Sequence, residues 1–215
     1  MVGFITFEGG DGTGKSTQLR LLERHLIARG KSCLTTREPG GTSLGQLLRR
    51  ILLESGNRPI SSSTELFLYL ADRAQHVHEV IAPAIMQGKI VLSDRYTDST
   101  VAYQGYGRGF EVPLLLTLNR VASQGVTPDF TFLLDCPVEL GLSRTIHRRS
   151  DPSIAKNDDR FENENLEFHE KVRRGFLDLA RAEPARFYVI DASRSEQEVF
   201  AAVKEIVDRR LDLSS

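Results

Sequence analysis

Phe4-Ile5-Thr6-Phe7-Glu8-Gly9-Gly10-Asp11-Gly12-Thr13-Gly14-Lys15-Ser16-Thr17 is the stretch that decides how this chain folds. Its first five residues are apolar or β-forming and predict a short buried strand. Glycines then crowd a turn, and a helix is expected directly after it. Gly9, Gly14, Lys15 and Ser16 fit the spacing G-x-x-x-x-G-K-[ST] of a phosphate-binding loop. Gly10 to Thr17, through Asp11, Gly12, Thr13 and Gly14, is where backbone N–H groups can converge on phosphate oxygens that side chains would obstruct. The helix that follows points its unpaired N–H groups at the same spot. Lys15 reaches the phosphates as a point charge, and the Ser16 hydroxyl suits Mg²⁺. A nucleoside triphosphate is the expected ligand.

Outward from this loop, strand and helix patterns alternate. Apolar runs at 32–36, 89–93, 129–134 and 187–190 predict four more strands. Between them lie helical repeats: Leu19, Leu22 and Leu26; Leu44, Leu47, Leu48, Ile51 and Leu52 after a capping Ser43; and a long stretch from about Thr64 to Met86, divided or kinked at Pro83. Pro113 opens a helix carrying Leu114, Leu118 and Val121, and Pro137 opens one carrying Leu140, Leu142 and Ile146. Two further helices follow, marked by Val172, Phe176 and Leu179, and by Val199, Val203, Ile206 and Val207. Thr97 to Gly109 reads only as a short polar run. The fold class is therefore α/β: a P-loop NTPase with a five-stranded parallel sheet, helices on both faces, and one domain over residues 1–215. Strand order is not written in the pattern.

The 215 residues carry a net charge of −1, so a broad basic face for nucleic acid is not expected. The start Met1-Val2-Gly3 shows neither a basic flank nor a long apolar run, which predicts no signal peptide and no membrane span. Cys33 and Cys136 stand alone in apolar surroundings and read as reduced thiols of a cytoplasmic protein. His76 and His78, two apart, fall on different helix faces and are read as structural or solvated.

Open α/β sheets bind ligands beyond the carboxyl ends of their strands. Asp11, Arg37, Asp94, Arg95 and Asp135 follow four of the five strands and are expected around one cleft. Two arginines exceed what one magnesium triphosphate needs and suit the phosphate of a second ligand. An ion pair with neighbouring acids is the plainer alternative for Arg95, and a solvated loop pair with Glu38 is that for Arg37. Asp94 can order water around Mg²⁺, fix Arg95, or simply cap its strand. Tyr69 and Arg73, four apart on a helix, can stack a base and address its edge; an arginine snorkelling past a half-buried ring is the commoner arrangement for such a pair. Between Arg144 and Glu164 the chain turns charged and irregular, with Arg148, Arg149 and Arg160 among its cations. An arginine-bearing lid over a triphosphate would supply charge stabilisation worth roughly 10³–10⁵ in rate. A solvated charged loop is the alternative.

Together these segments resemble thymidylate kinases. The resemblance rests on Phe7-Glu8-Gly9 running into the phosphate loop, on Arg37-Glu38-Pro39-Gly40-Gly41-Thr42, and on Asp94-Arg95-Tyr96 with Ser99 and Ala102-Tyr103-Gln104-Gly105. Asp159-Arg160-Phe161-Glu162 and Ile190-Asp191-Ala192 extend it to nearly the whole chain. It implies transfer of the γ-phosphoryl of Mg-ATP to dTMP by a homodimer. Gly10 to Thr17 would cradle ATP, Asp11 would bind the deoxyribose 3′-hydroxyl, and Arg37 with Arg95 would hold the dTMP phosphate. Tyr69 would stack on thymine, Arg73 would meet its edge, and Ser99, Thr100, Tyr103 and Gln104 would line the nucleoside pocket. Gly12 stands where one branch of the family carries a catalytic arginine, so this chain resembles the bacterial-type branch, which carries it in the lid (about 144–164). Tyr69 replaces a usual phenylalanine, Thr13 takes a position often smaller, and Ser150 to Asn157 lengthens the lid. Rival readings are a kinase for another nucleoside monophosphate, a deoxynucleoside kinase, a catalytically dead nucleotide-binding scaffold, and a GTP switch, whose Asn-Lys-x-Asp motif the chain lacks after strand four.

Overall fold

Five parallel strands form one sheet in the computed structural model, which describes residues 3–53, 59–149 and 160–213. They are β1 (Phe4–Glu8), β2 (Cys33–Arg37), β3 (Ile90–Asp94), β4 (Phe130–Asp135) and β5 (Phe187–Asp191), in the order β2-β3-β1-β4-β5. All five residues of β1 are buried, because helices cover both sides of this central strand. Ile5 and Phe7 face the layer of α1 (Lys15–Ala28) and α9 (Glu196–Arg210), packing with Leu19, Leu22, Val203 and Val207. Phe4 faces the opposite layer, with Val77, Ile81 and Tyr96. Fully burying a side chain such as Leu22 is worth about 1.5–3 kcal/mol. Even the polar member of the strand is matched, since Thr6 hydrogen-bonds Thr131 at 2.8 Å across the β1–β4 pair.

The strand register sets the functional edge. Phe7 lies opposite Asp94, and Asp94 lies opposite Arg37, so the carboxyl ends of β1, β2 and β3 finish level. The order of the sheet reverses its direction of growth at β1, the switch point at which such sheets open a crevice.

Several helices depart from the sequence expectation. The cap of α2 (Ser43–Leu53) is Thr42, whose Oγ1 accepts from the Gly45 N–H at 2.9 Å; Ser43 is already inside the helix. The apolar stripe of α2 is largely turned away from the core: Leu44, Leu47 and Ile51 are exposed, and Leu52 alone of the set is fully buried. The same happens on α6 (Val112–Ala122), where Leu115, Asn119 and Ala122 turn inward while Leu114 and Val121 stay outside. Periodicity finds an apolar face but not what covers it. The long stretch is α3 (Ser62–His76), a π-helical turn at Val77–Ile81, and α4 (Ala82–Met86). The wide turn ends just before Pro83, which has no N–H to donate, and the helical path continues instead of dividing.

Thr97 to Gly109 is helical throughout most of its length: α5 (Thr97–Thr100) followed by a π-helical segment at Val101–Gly107. Glycines and polar residues hide it in the sequence, yet Val101 to Gly105 are buried against α8 (Leu166–Ala182). Gly107 approaches Phe168 so closely that a Cβ there would sit 2.6 Å from its ring. The remaining helix is α7 (Val138–Arg149). The lid insert at Ser150–Asn157 lies outside the described residues. Of His76 and His78, the first is fully buried and structural and the second is exposed.

Candidate active site

The loop after β1 turns on glycines with positive φ: Gly9 at 134°, Gly12 at 70° and Gly14 at 89°. Gly14 leads directly into α1, so the first N–H groups of that helix open on the loop. Lys15 is buried, and its Nζ donates to the carbonyl oxygens of Gly9 (3.1 Å) and Gly10 (2.6 Å). Burial foremost, with Arg95 adding to it, lowers the Lys15 ammonium to about 8. Thr13 is buried too, its Oγ1 donating to the Gly10 carbonyl at 3.0 Å, which fits the larger residue into the loop.

Beside the loop, Ser16 Oγ donates to Asp94 Oδ2 at 2.5 Å. The two residues expected around Mg²⁺ are thus brought together although 78 positions apart. One hydroxyl and one carboxylate are hard oxygen donors that fit a cation held mainly by water and phosphate.

On the far side of Asp11 lies a cleft. Asp11, Tyr69, Arg73, Arg95, Ser99, Thr100, Tyr103 and Gln104 all line it, as expected. Arg95 reaches in from a left-handed backbone position (φ 73°). Its guanidinium donates to Asp11 Oδ1 (2.7 Å), Tyr103 Oη (3.0 Å), the Gly9 carbonyl (3.0 Å) and Ser99 Oγ (3.2 Å). It also stacks 4.9 Å above the Tyr103 ring. Tyr103 Oη donates to Asp11 Oδ2 at 3.3 Å. Burial alone would raise the Asp11 carboxyl, but Arg95 and Lys15 outweigh it and hold it below the usual range.

Arg73 is fully buried and completely engaged. Its Nε donates to Glu38 Oε2 (2.9 Å), and its terminal nitrogens donate to Thr100 Oγ1 (2.8 Å), Asn119 Oδ1 (2.6 Å) and the Tyr96 carbonyl (3.0 Å). Glu38 also accepts from or pairs with His76 Nδ1 at 2.9 Å. Tyr69 is half-buried, with its ring 6.4 Å from Phe161.

Other expected residues stand elsewhere. Arg37 is exposed at the end of β2 and is not among the described residues that line the cleft; Arg49, on α2, is. Arg49 donates to the Pro39 carbonyl at 3.0 Å. Arg160 pairs with Glu65, which is buried on α3 and also receives Gln104 Nε2 at 2.9 Å and Arg108. Arg144 is tied to the Ala192 carbonyl at 2.8 Å. The side chains of Arg148 and Arg149 lie outside the described residues.

Five residues at the site were given no role there by the sequence reading: Glu8, Glu38, Arg49, Glu65 and Phe161. Glu8 had a legible signal, an acid ending a strand otherwise fit for full burial. The others become visible only once α2, α3 and the 160–163 turn are packed around the cleft.

A family model described as thymidylate kinase matches residues 7–203 of the chain. The chain is 54% identical to the thymidylate kinase of Solidesulfovibrio magneticus over 208 residues, covering 97% of this chain and 100% of that one. It is 50% identical to the thymidylate kinase of Geotalea uraniireducens, with 97% of each covered. The crystal structure of thymidylate kinase from Ehrlichia chaffeensis superimposes with a TM-score of 0.77 at 34% identity, covering 96% of this chain and 98% of that one. With its phosphate loop, its Asp94–Ser16 pair and its arginine-walled cleft in the same fold, this chain belongs to the thymidylate kinase family.

Proposed function

We propose that the protein transfers the γ-phosphoryl of Mg-ATP to dTMP, giving dTDP and ADP, as one catalytic domain over residues 1–215. The observation that carries this reading is that Lys15 and Arg95 both donate to the Gly9 carbonyl while Arg95 continues to Asp11 and Tyr103, which joins the phosphate loop to the adjoining cleft. Gly10 to Thr17 cradle the donor phosphates, and Lys15 swings from the loop carbonyls to the β- and γ-oxygens. Ser16 and Asp94 are the residues that would hold Mg²⁺, which would supply positive charge against that of the phosphates.

The acceptor lies in the cleft. Arg95 takes its phosphate, which competes with Asp11 for the guanidinium, and Arg37 approaches from the end of β2. Asp11 accepts the 3′-hydroxyl, Tyr69 stacks on thymine, and Arg73, Thr100 and Gln104 shape the polar end, with Ser99 and Tyr103 lining the sugar. Because Arg73 has its N–H groups engaged, it meets the base by exchanging one partner, and its larger part is to build the wall. Gly12 offers no cation in the loop, so the arginine that stabilises the transferring phosphoryl comes from the lid segment 144–164, from Arg148, Arg149 or Arg160.

The active molecule is a homodimer. Supporting this, the exposed apolar side chains Leu44, Leu47 and Ile51 on α2, Phe67 on α3 and Val121 on α6 lie on three helices that pack side by side. Exposed apolar surface of this kind marks interfaces. No helix among the described residues is long and apolar enough to cross a membrane. The free Cys33 and Cys136 accord with a reducing cytoplasm.

ADP release measured with ATP and, in turn, dTMP, dUMP, dCMP, AMP and thymidine tests the function. Turnover is expected with dTMP and little with AMP or thymidine. Absence of turnover with dTMP, or equal rates with AMP, overturns the proposal.

A further inference from the structure

Arg95 poses a physical problem that the reaction alone does not explain. A long side chain on a left-handed residue costs about 1–2 kcal/mol, and such strain persists only where neighbours over-determine it. On the strand side, the Arg95 N–H donates to the Phe7 carbonyl at 2.9 Å, and Ser93 Oγ donates to the Arg95 carbonyl at 2.8 Å. These bonds fix where the turn begins. On its exit side Arg73 holds the Tyr96 carbonyl at 3.0 Å, and a second side chain holds the Tyr96 N–H.

That side chain is Glu8, the last residue of β1, fully buried. Its Oε1 accepts from the Tyr96 N–H at 2.7 Å, and its Oε2 accepts from Ser99 Oγ at 2.6 Å. Ser99 Oγ in turn accepts from the Arg95 guanidinium at 3.2 Å. One carboxyl therefore grips the residue after Arg95 and the residue that touches its tip. No ion pair of Glu8 with a cation is present among the described residues, so its role here is geometric. A buried acid is an expensive way to hold a turn unless the turn matters.

We propose that Glu8 is the positioning residue that aims Arg95 at the acceptor phosphate, by spanning the Tyr96 amide and the Ser99 hydroxyl and thereby fixing the left-handed turn between them. This rests on the reading of Arg95 as the acceptor-phosphate arginine. Glu8 does not touch substrate. It acts through Arg95, so its loss is felt by dTMP and not by ATP. Length, not charge, is what matters: glutamine keeps an oxygen for the Tyr96 N–H and can donate to Ser99, whereas aspartate is too short to reach both.

The test compares Glu8→Asp, Glu8→Gln and Ser99→Ala in steady-state kinetics, with Arg95→Ala alone and combined with Glu8→Asp. Glu8→Asp and Ser99→Ala should raise KM for dTMP about tenfold, the worth of an ordinary hydrogen bond, and leave KM for ATP within about twofold. Glu8→Gln should raise KM for dTMP by no more than about threefold. In the Arg95→Ala background, Glu8→Asp should add less than about twofold, because its effect runs through a guanidinium already gone. Equal rises in both KM values, a silent Glu8→Asp, or full additivity with Arg95→Ala overturns the inference. If Arg95→Ala itself leaves KM for dTMP unchanged, the reading of Arg95 fails; if it is severe while Glu8→Asp and Ser99→Ala are silent, only the role of Glu8 fails.

Discussion

Gly12 in the phosphate loop and Gly141 on α7 meet backbone to backbone: a Cβ on Gly12 would lie 1.9 Å from the Gly141 carbonyl oxygen, and one on Gly141 would lie 2.4 Å from the Asp11 carbonyl oxygen. Two glycines far apart in sequence thus clamp the loop to the helix that runs on into the lid segment. The contact also explains the absence of a loop arginine in physical terms, since α7 occupies the space where any side chain at position 12 would begin.

Gly12→Ala combines a positive φ with a backbone clash, and Gly141→Ala keeps an ordinary helical residue but pushes on the loop. Both should cut kcat/KM for ATP by at least tenfold, with strain of about 1–3 kcal/mol placed at the loop. Steady-state kinetics with ATP varied is the measurement, and an unaffected Gly141→Ala would show that α7 yields without moving Asp11.

Arg73 stabilises the acceptor wall from within. Arg73→Met strands Glu38 in a buried site and removes the donors of Asn119 and the Tyr96 carbonyl. Breaking a buried pair of this kind costs about 3–5 kcal/mol. Denaturant unfolding should show the loss, and KM for dTMP should rise with it.

Glu8 makes stability depend on pH in a particular direction. Burial first, and the neighbouring Asp98 second, raise its carboxyl to about 8, against the attraction of Arg95. A folded-state value above the unfolded one means that the group's contribution is complete below about 4.5 and is lost as pH rises towards 8. Glu8→Gln has no such proton to lose. Its thermal midpoint relative to the wild type should therefore climb between pH 5 and about pH 8, and a constant difference over that window would show Glu8 to be ionised throughout.

The proposed homodimer buries the exposed apolar side chains of α2 and α3. Leu47→Glu combined with Phe67→Glu places charge on α2 and α3 at sites that are 49% and 62% exposed, so the single chain should fold normally. Sedimentation should report twice the chain mass for the wild type and the chain mass for the variant. A variant that stays dimeric would move the interface elsewhere.

How much of this was legible in the chain differs from element to element. The five strands and the phosphate loop were, because a buried parallel strand needs a continuous apolar run and a loop that binds phosphate needs glycine where N–H groups converge. Of the five residues expected around one cleft from the strand ends, Asp11 and Arg95 line it, while Asp94 meets Ser16, Asp135 pairs with Arg173, and Arg37 stands exposed. Helices α2 and α6 were found, but not which of their apolar residues turn inward, since a stripe of leucines is equally suited to a core and to a second chain. The helix at 97–107 was missed because tertiary burial against α8 overrides a glycine-bearing polar sequence.

The order of elements and the glycine-rich loop with its Lys15 and Ser16 were readable from the chain alone, because both depend on local pattern and on residue type. Only the tertiary structure decided the strand order, the Gly12–Gly141 clamp, the pairing of Arg160 with Glu65 and the grip of Glu8 on the turn beyond Arg95. Each of these joins residues distant along the chain, and what joins them is the packing of backbones and buried polar groups, which no local pattern encodes.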